Sequence, residues 1–180
     1  MCAPCYIARE QRSMAVADHK KHAPAKVRVF VVTVSDSRTE ETDTSGQAAR
    51  ALIVASGHIV AGYKLLKDEP AEVAALIRSI AEQRAADVIV TSGGTGITAR
   101  DSTYEAVTSL LDKRLDGFGE LFRMLSFAEI GAAAMMSRAV AGLHKGVAVF
   151  ATPGSTAAVK LALEKLIIPE LGHLVFEAHR

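Results

Sequence analysis

The sequence has little cysteine, almost no net charge and no long hydrophobic run, and each shortage excludes a class of protein. Two cysteines among 180 residues are too few for a scaffold held together by disulfides. A formal net charge of +1 removes the basic face that a nucleic-acid-binding protein needs, so we expect no nucleic-acid partner. No apolar run approaches the ~20 residues of a transmembrane helix, so we expect no membrane span and a cytoplasmic protein.

Length and composition favour one folded domain with an additional tail. At roughly 100–200 residues per domain, the length indicates a single domain, and a hydrophobic content of 49% excludes intrinsic disorder. Residues 1–26 show neither a helical nor a strand period and carry five basic residues against two acidic ones. They also lack the continuous apolar stretch of a signal peptide. We therefore predict a flexible tail over 1–26 and a folded domain over 27–180.

Both cysteines lie in this tail, as Cys2-Ala-Pro-Cys5. A C-x-x-C pair can form half of a zinc site or a redox pair. Zinc would need two further ligands, for which His19 and His22 are the near candidates, and a redox motif would need a preceding strand. We interpret the pair as part of an unstructured end.

From residue 27 onward the pattern alternates between strands and helices. Strands are predicted at Val27–Val34, Ile59–Leu66, Asp87–Thr91 and Val147–Ala151, because these segments are short, apolar and mostly β-branched. Helices are predicted over 45–55, 70–80, 103–111, 119–127 and 130–136, with a last one after 155 that Pro169 ends or kinks, and residues 117–119 are interpreted as a flexible corner. This alternation predicts right-handed crossovers and a mainly parallel sheet, hence an α/β fold.

Polar and glycine-rich segments follow the predicted strands. They are Ser35-Asp36-Ser37-Arg38, Lys67-Asp68-Glu69, Ser92-Gly93-Gly94-Thr95-Gly96 and residues 152–155. Ligands of such sheets bind beyond the carboxyl ends of the strands, so we expect these segments to share one rim. Glycines let backbone N–H groups approach an anion, and hydroxyls can add donors. The glycine loop is neither a P-loop nor a dinucleotide fingerprint, and a plain turn is the alternative.

Two aspartates near this rim are candidate metal ligands. Asp101 lies close to the glycine loop, where an acid repels phosphate unless a divalent cation bridges them. Mg²⁺ is usually held by one or two carboxylates together with phosphate oxygens. Asp68 could supply the second carboxylate. The alternatives are a helix-capping role for Asp101 and an exposed turn for Asp68.

Two further segments could bind phosphate. Pro153-Gly154-Ser155 precedes a helix, whose N-terminus favours anions, although a plain connection is equally compatible. Ser137-Arg138 could present a guanidinium to phosphate, and a surface salt bridge is the alternative. Three isolated histidines, His58, His144 and His173, show no metal-ligand spacing and are interpreted as structural or surface residues.

The run from Thr91 to Gly96, followed by Arg100-Asp101-x-Thr103-x-Glu105-Ala106, resembles the signature of the molybdopterin adenylyltransferase family. Further segments match in order over residues 27–178: Val34-Ser35-Asp36, Gly117-Phe118-Gly119-Glu120, Ser137-Arg138-Ala139-x-Ala141-Gly142 and Pro153-Gly154-Ser155. The stretch 121–131 is similar to the branch called molybdenum cofactor biosynthesis protein B. One position departs from the family, because Tyr104 stands where proline is common.

The resemblance implies a three-layer α/β/α fold, assembled as homotrimers or homohexamers. It implies transfer of AMP from Mg-ATP to the terminal phosphate of molybdopterin, with release of pyrophosphate. It assigns catalysis and Mg²⁺ binding to Asp68 and Asp101. The residues that it assigns to substrate binding are Ser35, Asp36, Ser92, Gly93, Gly94, Thr95, Gly96, Ser137, Arg138, Pro153, Gly154 and Ser155. A non-catalytic molybdopterin-binding paralogue and a different phosphate-using enzyme on the same fold are the alternative functions.

Overall fold

The computed structural model describes residues 23–180 of the chain. Most of the predicted tail, and with it Cys2, Cys5 and their possible zinc partners, therefore lies outside the described residues.

Six strands form one sheet in the order β2-β1-β3-β6-β5-β4. The strands are β1 Arg28–Val34, β2 Ile59–Leu66, β3 Val88–Ser92, β4 Lys113–Arg114, β5 Val140–His144 and β6 Val147–Thr152. The first three and β6 pair in parallel, as the sequence pattern predicts. The remaining two add an antiparallel edge beside β6.

The helices begin and end close to the predicted positions. They are α1 Thr44–Ala55, α2 Pro70–Glu82, α3 Thr103–Leu110, α4 Asp116–Ile130, α5 Thr156–Ala162 and α6 Leu171–Ala178. A 3-10 segment, Gly131–Met136, follows α4. A π-helical turn, Leu163–Ile167, continues α5, and a 3-10 turn that contains Pro169, Ile168–Glu170, connects it to α6. None of the helices in residues 23–180 combines the length and apolarity needed to cross a bilayer.

Helices cover both faces of the sheet. Alternate residues of β1 point to opposite faces, so that Val29 and Val31 belong to one apolar cluster and Val32 to the other. The first cluster includes Ile53 of α1, and the second includes Ile77 of α2. The arrangement is the predicted three-layer α/β/α fold.

The sequence pattern missed the antiparallel edge. Lys145 and Gly146 both have positive φ, 51° and 81°, and form the two-residue turn of a hairpin between β5 and β6. The preceding strand is only five residues long and contains Gly142, so its apolar alternation is weak. A Cβ at Gly142 would overlap the carbonyl oxygen of Lys113, which explains the glycine at this close strand approach.

The predicted flexible corner at residues 117–119 is wrong, because these residues form the first turn of α4. Phe118 is buried there, as expected for an aromatic at this point, and its ring meets that of Phe150 edge to face at 5.0 Å. The two helices predicted over 119–136 are instead one α-helix and a 3-10 segment, separated at Gly131, whose φ is 60°.

Candidate functional site

The carboxyl ends of the four parallel strands meet at one edge of the sheet, where the structure contains a cleft of about 430 Å³. Most of the predicted site residues line it: Ser35, Gly93, Gly94, Thr95, Gly96, Asp101, Ser137, Arg138, Pro153 and Gly154. The cleft is also lined by Val34, Ser37, Arg38 and Met136. The cleft therefore lies at the strand ends, where the sequence pattern predicts a site.

The glycine loop adopts a conformation that only glycine tolerates. Gly93 and Gly94 have φ angles of 102° and 61°. A Cβ at Gly93 would overlap the carbonyl oxygen of Val34, and a Cβ at Gly94 would lie 2.5 Å from Asp68 Oδ2. The Thr103 N–H donates to the carbonyl oxygen of Gly94 at 2.9 Å, so the loop is joined to the start of α3.

The two glycine-containing turns, one after β3 with Gly93 and one after β6 with Gly154, lie side by side because these two strands are paired. Thr91 Oγ1 donates to the carbonyl oxygen of Phe150 at 3.2 Å, and Thr152 Oγ1 donates to that of Thr91 at 3.1 Å. The Gly93 N–H extends this pairing by donating to the Thr152 carbonyl at 3.0 Å. A Cβ at Gly154 would lie 3.0 Å from Gly93 Cα, so this approach leaves little room for a side chain.

Asp68 is buried, with 6% exposure, so the alternative of an exposed turn residue is wrong. Its Oδ1 accepts hydrogen bonds from the hydroxyls of Ser102 and Thr103, each at 3.1 Å. Its Oδ2 lies beside Gly94. Asp68 thus lies against the glycine loop without lining the cleft itself.

Asp101 lies on the other end of the same loop. A Cβ at Gly96 would be 2.5 Å from Asp101 Oδ2, and this oxygen accepts from the Thr98 hydroxyl at 2.6 Å and the Thr98 N–H at 3.0 Å. The hydroxyl bond is the main cause that lowers the pKa of Asp101. The N-cap of α3 is Ser102, so the capping alternative for Asp101 is wrong. The two aspartates therefore flank the glycine loop.

Three predicted substrate residues lie outside the cleft lining. Asp36 forms an ion pair with Arg100 at 2.9 Å and accepts the Asp68 N–H at 3.2 Å, and the Arg100 hydrogen bond lowers its pKa. Ser155 caps α5 by accepting the Ala158 N–H at 3.2 Å. Ser92 is buried at the end of β3, and its hydroxyl has no hydrogen-bond partner within residues 23–180.

Arg38 is a cleft residue that the sequence pattern did not single out. Its guanidinium donates to Asp43 Oδ1 at 3.2 Å, to the Ser45 hydroxyl, and to the Gly154 carbonyl at 3.0 Å. It thereby joins the end of β1 to the second glycine turn. It is the sole basic residue of the segment Ser35–Arg38, and this was the available signal.

Asp43, the carboxylate partner of Arg38, is fully buried at the N-cap of α1. It accepts the Gly46 N–H at 3.0 Å and the Tyr63 hydroxyl at 2.8 Å. Burial alone would raise the pKa of Asp43, but the hydrogen bonds outweigh burial and lower it. Burial and the bond to Asp43 raise the pKa of Tyr63 to about 12.

Arg138 lines the cleft on the opposite side. Its Nε donates to the Thr95 carbonyl at 2.9 Å, and Nη2 donates to the Gly96 carbonyl. The guanidinium also pairs with Glu105 and lies 4.7 Å from the ring centre of Tyr104. The ion-pair alternative for Arg138 is therefore confirmed, and the residue also faces the cleft.

No group of three or more histidine, cysteine, aspartate or glutamate side chains suited to a metal ion occurs in the described part of the chain. Two carboxylates are nevertheless sufficient for Mg²⁺ when phosphate oxygens complete its coordination. Asp68 and Asp101 fit that donor set, because they lie against successive glycines of one loop.

Fold and cleft together define an α/β protein with a glycine loop, two flanking carboxylates and a cleft at the strand ends. A family model described as "probable molybdopterin binding domain" matches residues 30–173. Molybdenum cofactor biosynthesis protein B of Bacillus cereus is 52% identical over 168 residues, which are 93% of this chain and 99% of that protein. The chain belongs to the molybdenum cofactor biosynthesis protein B branch of the molybdopterin-binding family, as the sequence motifs indicate.

Solved structures agree with this assignment. A crystal structure of molybdenum cofactor biosynthesis protein B matches with a TM-score of 0.85 and 51% identity, covering 88% of this chain and 99% of that one. The crystal structure of the tungsten cofactor synthesizing protein MoaB from Pyrococcus furiosus matches with a TM-score of 0.77 and 41% identity, covering 88% of this chain and 100% of that one.

Proposed function

We propose that the chain acts in molybdenum cofactor biosynthesis as a molybdopterin adenylyltransferase. A phosphate oxygen of molybdopterin attacks the α-phosphorus of ATP, the bond from that phosphorus to the bridging oxygen breaks, and pyrophosphate leaves. Membership of the family supports the pathway and the pterin ligand. The observation that carries the reaction is the glycine loop with Asp68 and Asp101 on its two sides.

The residues present suit this chemistry. A phosphate nucleophile needs no strong base, so catalysis consists of positioning and charge neutralisation. Backbone N–H groups of the loop from Gly93 to Gly96 would hold phosphate oxygens. This donor set binds anions without a basic surface, in agreement with the small net charge.

Mg²⁺ and ATP are part of the proposal. Asp68 and Asp101 would hold the ion, which supplies positive charge against the triphosphate. The hydroxyls of Ser102 and Thr103 keep Asp68 in place from the side of α3. The Thr98 contacts do the same for Asp101 and favour its ionised form.

The test is to incubate the protein with molybdopterin, ATP and Mg²⁺ and to look for adenylylated molybdopterin. Formation of this product together with pyrophosphate supports the proposal. Bound pterin without product favours a non-catalytic molybdopterin-binding paralogue. Failure to bind either ligand favours a different phosphate-using enzyme.

The variant Asp101→Asn tests the metal-binding carboxylate. We expect turnover to fall about 100-fold or more, the scale of losing one charge-stabilising group, while pterin binding persists. Asp112→Asn is a matched control, because Asp112 contacts Lys145 at the opposite end of the sheet. A wild-type rate for Asp101→Asn would remove Asp101 from the mechanism.

We also propose a homo-oligomer, a trimer or hexamer, and a cytoplasmic location, as the family resemblance implies. Exposed apolar residues on α4 support the assembly, and they are Leu121, Met124, Phe127 and Ile130. Sedimentation of Phe127→Glu should show smaller particles than the wild type. Val54→Glu is the control, since both native side chains are 62% exposed but Val54 lies on α1. An unchanged mass for Phe127→Glu would exclude this face.

A further inference from the structure

Arg138 has almost no hydrogen-bonding capacity left for a ligand. A guanidinium carries five N–H donors. Contacts to the Thr95 carbonyl, the Gly96 carbonyl and both oxygens of Glu105 occupy all but one of them. The guanidinium of Arg138 is therefore hydrogen-bonded mainly to groups of the protein itself, although the residue lines the cleft.

The two carbonyls that Arg138 binds determine where neighbouring N–H groups point. In a planar trans peptide the C=O and the following N–H point in opposite directions. Fixing the carbonyls of Thr95 and Gly96 therefore fixes the N–H groups of Gly96 and Ile97 so that they point away from Arg138. Glycine at 96 offers no conformational restraint of its own, so an external restraint is needed.

The first turn of α3 supports Arg138 from behind. Glu105 pairs with the guanidinium, and the ring of Tyr104 lies 4.7 Å below it. Such a cation–π contact requires an aromatic ring at position 104. The same turn also contacts the loop through the Thr103 N–H and the Gly94 carbonyl, at 2.9 Å.

We propose that Arg138 is a positioning residue: with Tyr104 and Glu105 it fixes the direction of the glycine-loop N–H groups, and it does not itself bind phosphate. The proposal rests on the proposed function in one respect, namely that these N–H groups receive a phosphate of the substrate. The orientation of the loop itself does not depend on that assignment.

The first experiment measures the backbone ¹⁵N order parameters of the Gly96 and Ile97 amides in the full, ligand-free chain, because they report how firmly the direction of an N–H group is held. We expect them to fall to the values of flexible backbone, below about 0.6, in Arg138→Lys, Glu105→Gln and Tyr104→Leu, and to stay near the wild-type values in Tyr104→Phe, which keeps the ring. The order parameters of core amides such as Val90 should not change. Unchanged order parameters of the loop in Arg138→Lys would overturn the proposal.

The second experiment determines whether a substitution weakens or strengthens the binding of an anion. Inorganic pyrophosphate with Mg²⁺ is the probe, measured by calorimetry. A positioning role predicts that Glu105→Gln weakens binding several-fold, because the loop loses its support. A ligand role for Arg138 predicts the opposite, since a guanidinium released from Glu105 becomes available to the anion. Tighter binding in Glu105→Gln, or full binding in Arg138→Lys, would overturn the proposal.

The two experiments separate this proposal from the proposed function. If the wild-type chain binds neither pyrophosphate nor Mg-ATP, adenylyl transfer is rejected, while the order parameters of the Gly96 and Ile97 amides still decide whether Arg138 orients the loop.

Discussion

The two sides of the cleft are built around arginines in similar positions but with different carboxylate partners. The side chains of Arg38 and Arg138 are 28% and 27% exposed, and each donates to a carbonyl of a glycine-containing turn. Asp43, the partner of Arg38, has no exposed side-chain surface, whereas that of Glu105, the partner of Arg138, is 59% exposed. The arginine–carboxylate pair is therefore formed with a buried carboxylate on the Arg38 side and with an exposed one on the Arg138 side.

The difference indicates two contributions to one site. Removing one member of a buried, hydrogen-bonded charge network leaves the others unpaired, which is strongly destabilising. An exposed ion pair contributes little to global stability because water and salt screen it. The Arg38 side is therefore part of the general stability of the fold, while the Arg138 side determines local order in the glycine loop.

Asp43→Ala should have the largest effect on the stability of the protein. It leaves Arg38, Tyr63 and the Gly46 N–H without their shared acceptor. We expect the free energy of unfolding, measured by urea denaturation, to fall by about 3–5 kcal/mol. Asp112→Ala, at an exposed carboxylate, is the control. A loss below about 1 kcal/mol would show that the network is as weak as a surface pair.

The pH dependence of stability should follow Asp43. Because the folded-state pKa of Asp43 is lowered, its stabilising contribution is present above its unfolded pKa and is lost as pH falls through the folded pKa. We expect the free energy of unfolding of the wild type to exceed that of Asp43→Asn by about 1–3 kcal/mol near neutral pH. This difference should shrink below about pH 4. Urea denaturation of both proteins between pH 3 and pH 7 measures it. A difference that widens towards acid would contradict the assigned sign.

Tyr63→Phe removes one donor from the same network and keeps the ring, over which Arg50 lies at 4.3 Å. The expected loss in the free energy of unfolding is about 1.5 kcal/mol, since one hydrogen bond to a charged group is lost. Tyr104→Phe, at the corresponding aromatic on the other side, should cost less. Equal losses in the two variants would remove the contrast between buried and exposed sides.

Glu105→Ala should have the smallest effect on global stability. We expect a loss under about 1 kcal/mol, because the carboxylate is mostly solvated. Urea denaturation at low and at 1 M salt should show this loss shrinking as screening increases. A larger, salt-independent loss would place Glu105 in the structural core of the protein instead.

Sequence patterns predicted the parts of the fold and site that depend on local composition. β-branched runs located β1, β2, β3 and β6, and the strand-end rule brought the glycine loop and Asp101 to one cleft. β5 was missed because a five-residue segment interrupted by Gly142 has no clear period.

Contacts between distant residues could not be predicted in the same way. Asp43 lies in a polar stretch that is typical of a surface loop, yet Tyr63 and Arg38 make its burial tolerable. The partners of Arg138 are more than thirty residues away along the chain, at Glu105 and Thr95. Sequence alone indicated that Arg138 could bind phosphate or form a surface salt bridge, and only the three-dimensional arrangement shows its hydrogen bonds to two backbone carbonyls.

The threonine bonds between β3 and β6 have a consequence for the dimensions of the cleft. Neighbouring strands lie about 4.8 Å apart, and both glycine-containing turns continue directly from the joined ends of these strands. The distance between the two turns is therefore set by the backbone pairing of β3 and β6 and not by the length of the loops. Insertions in the loops would alter what borders the cleft, but the spacing of these two turns would stay that of two adjacent strands.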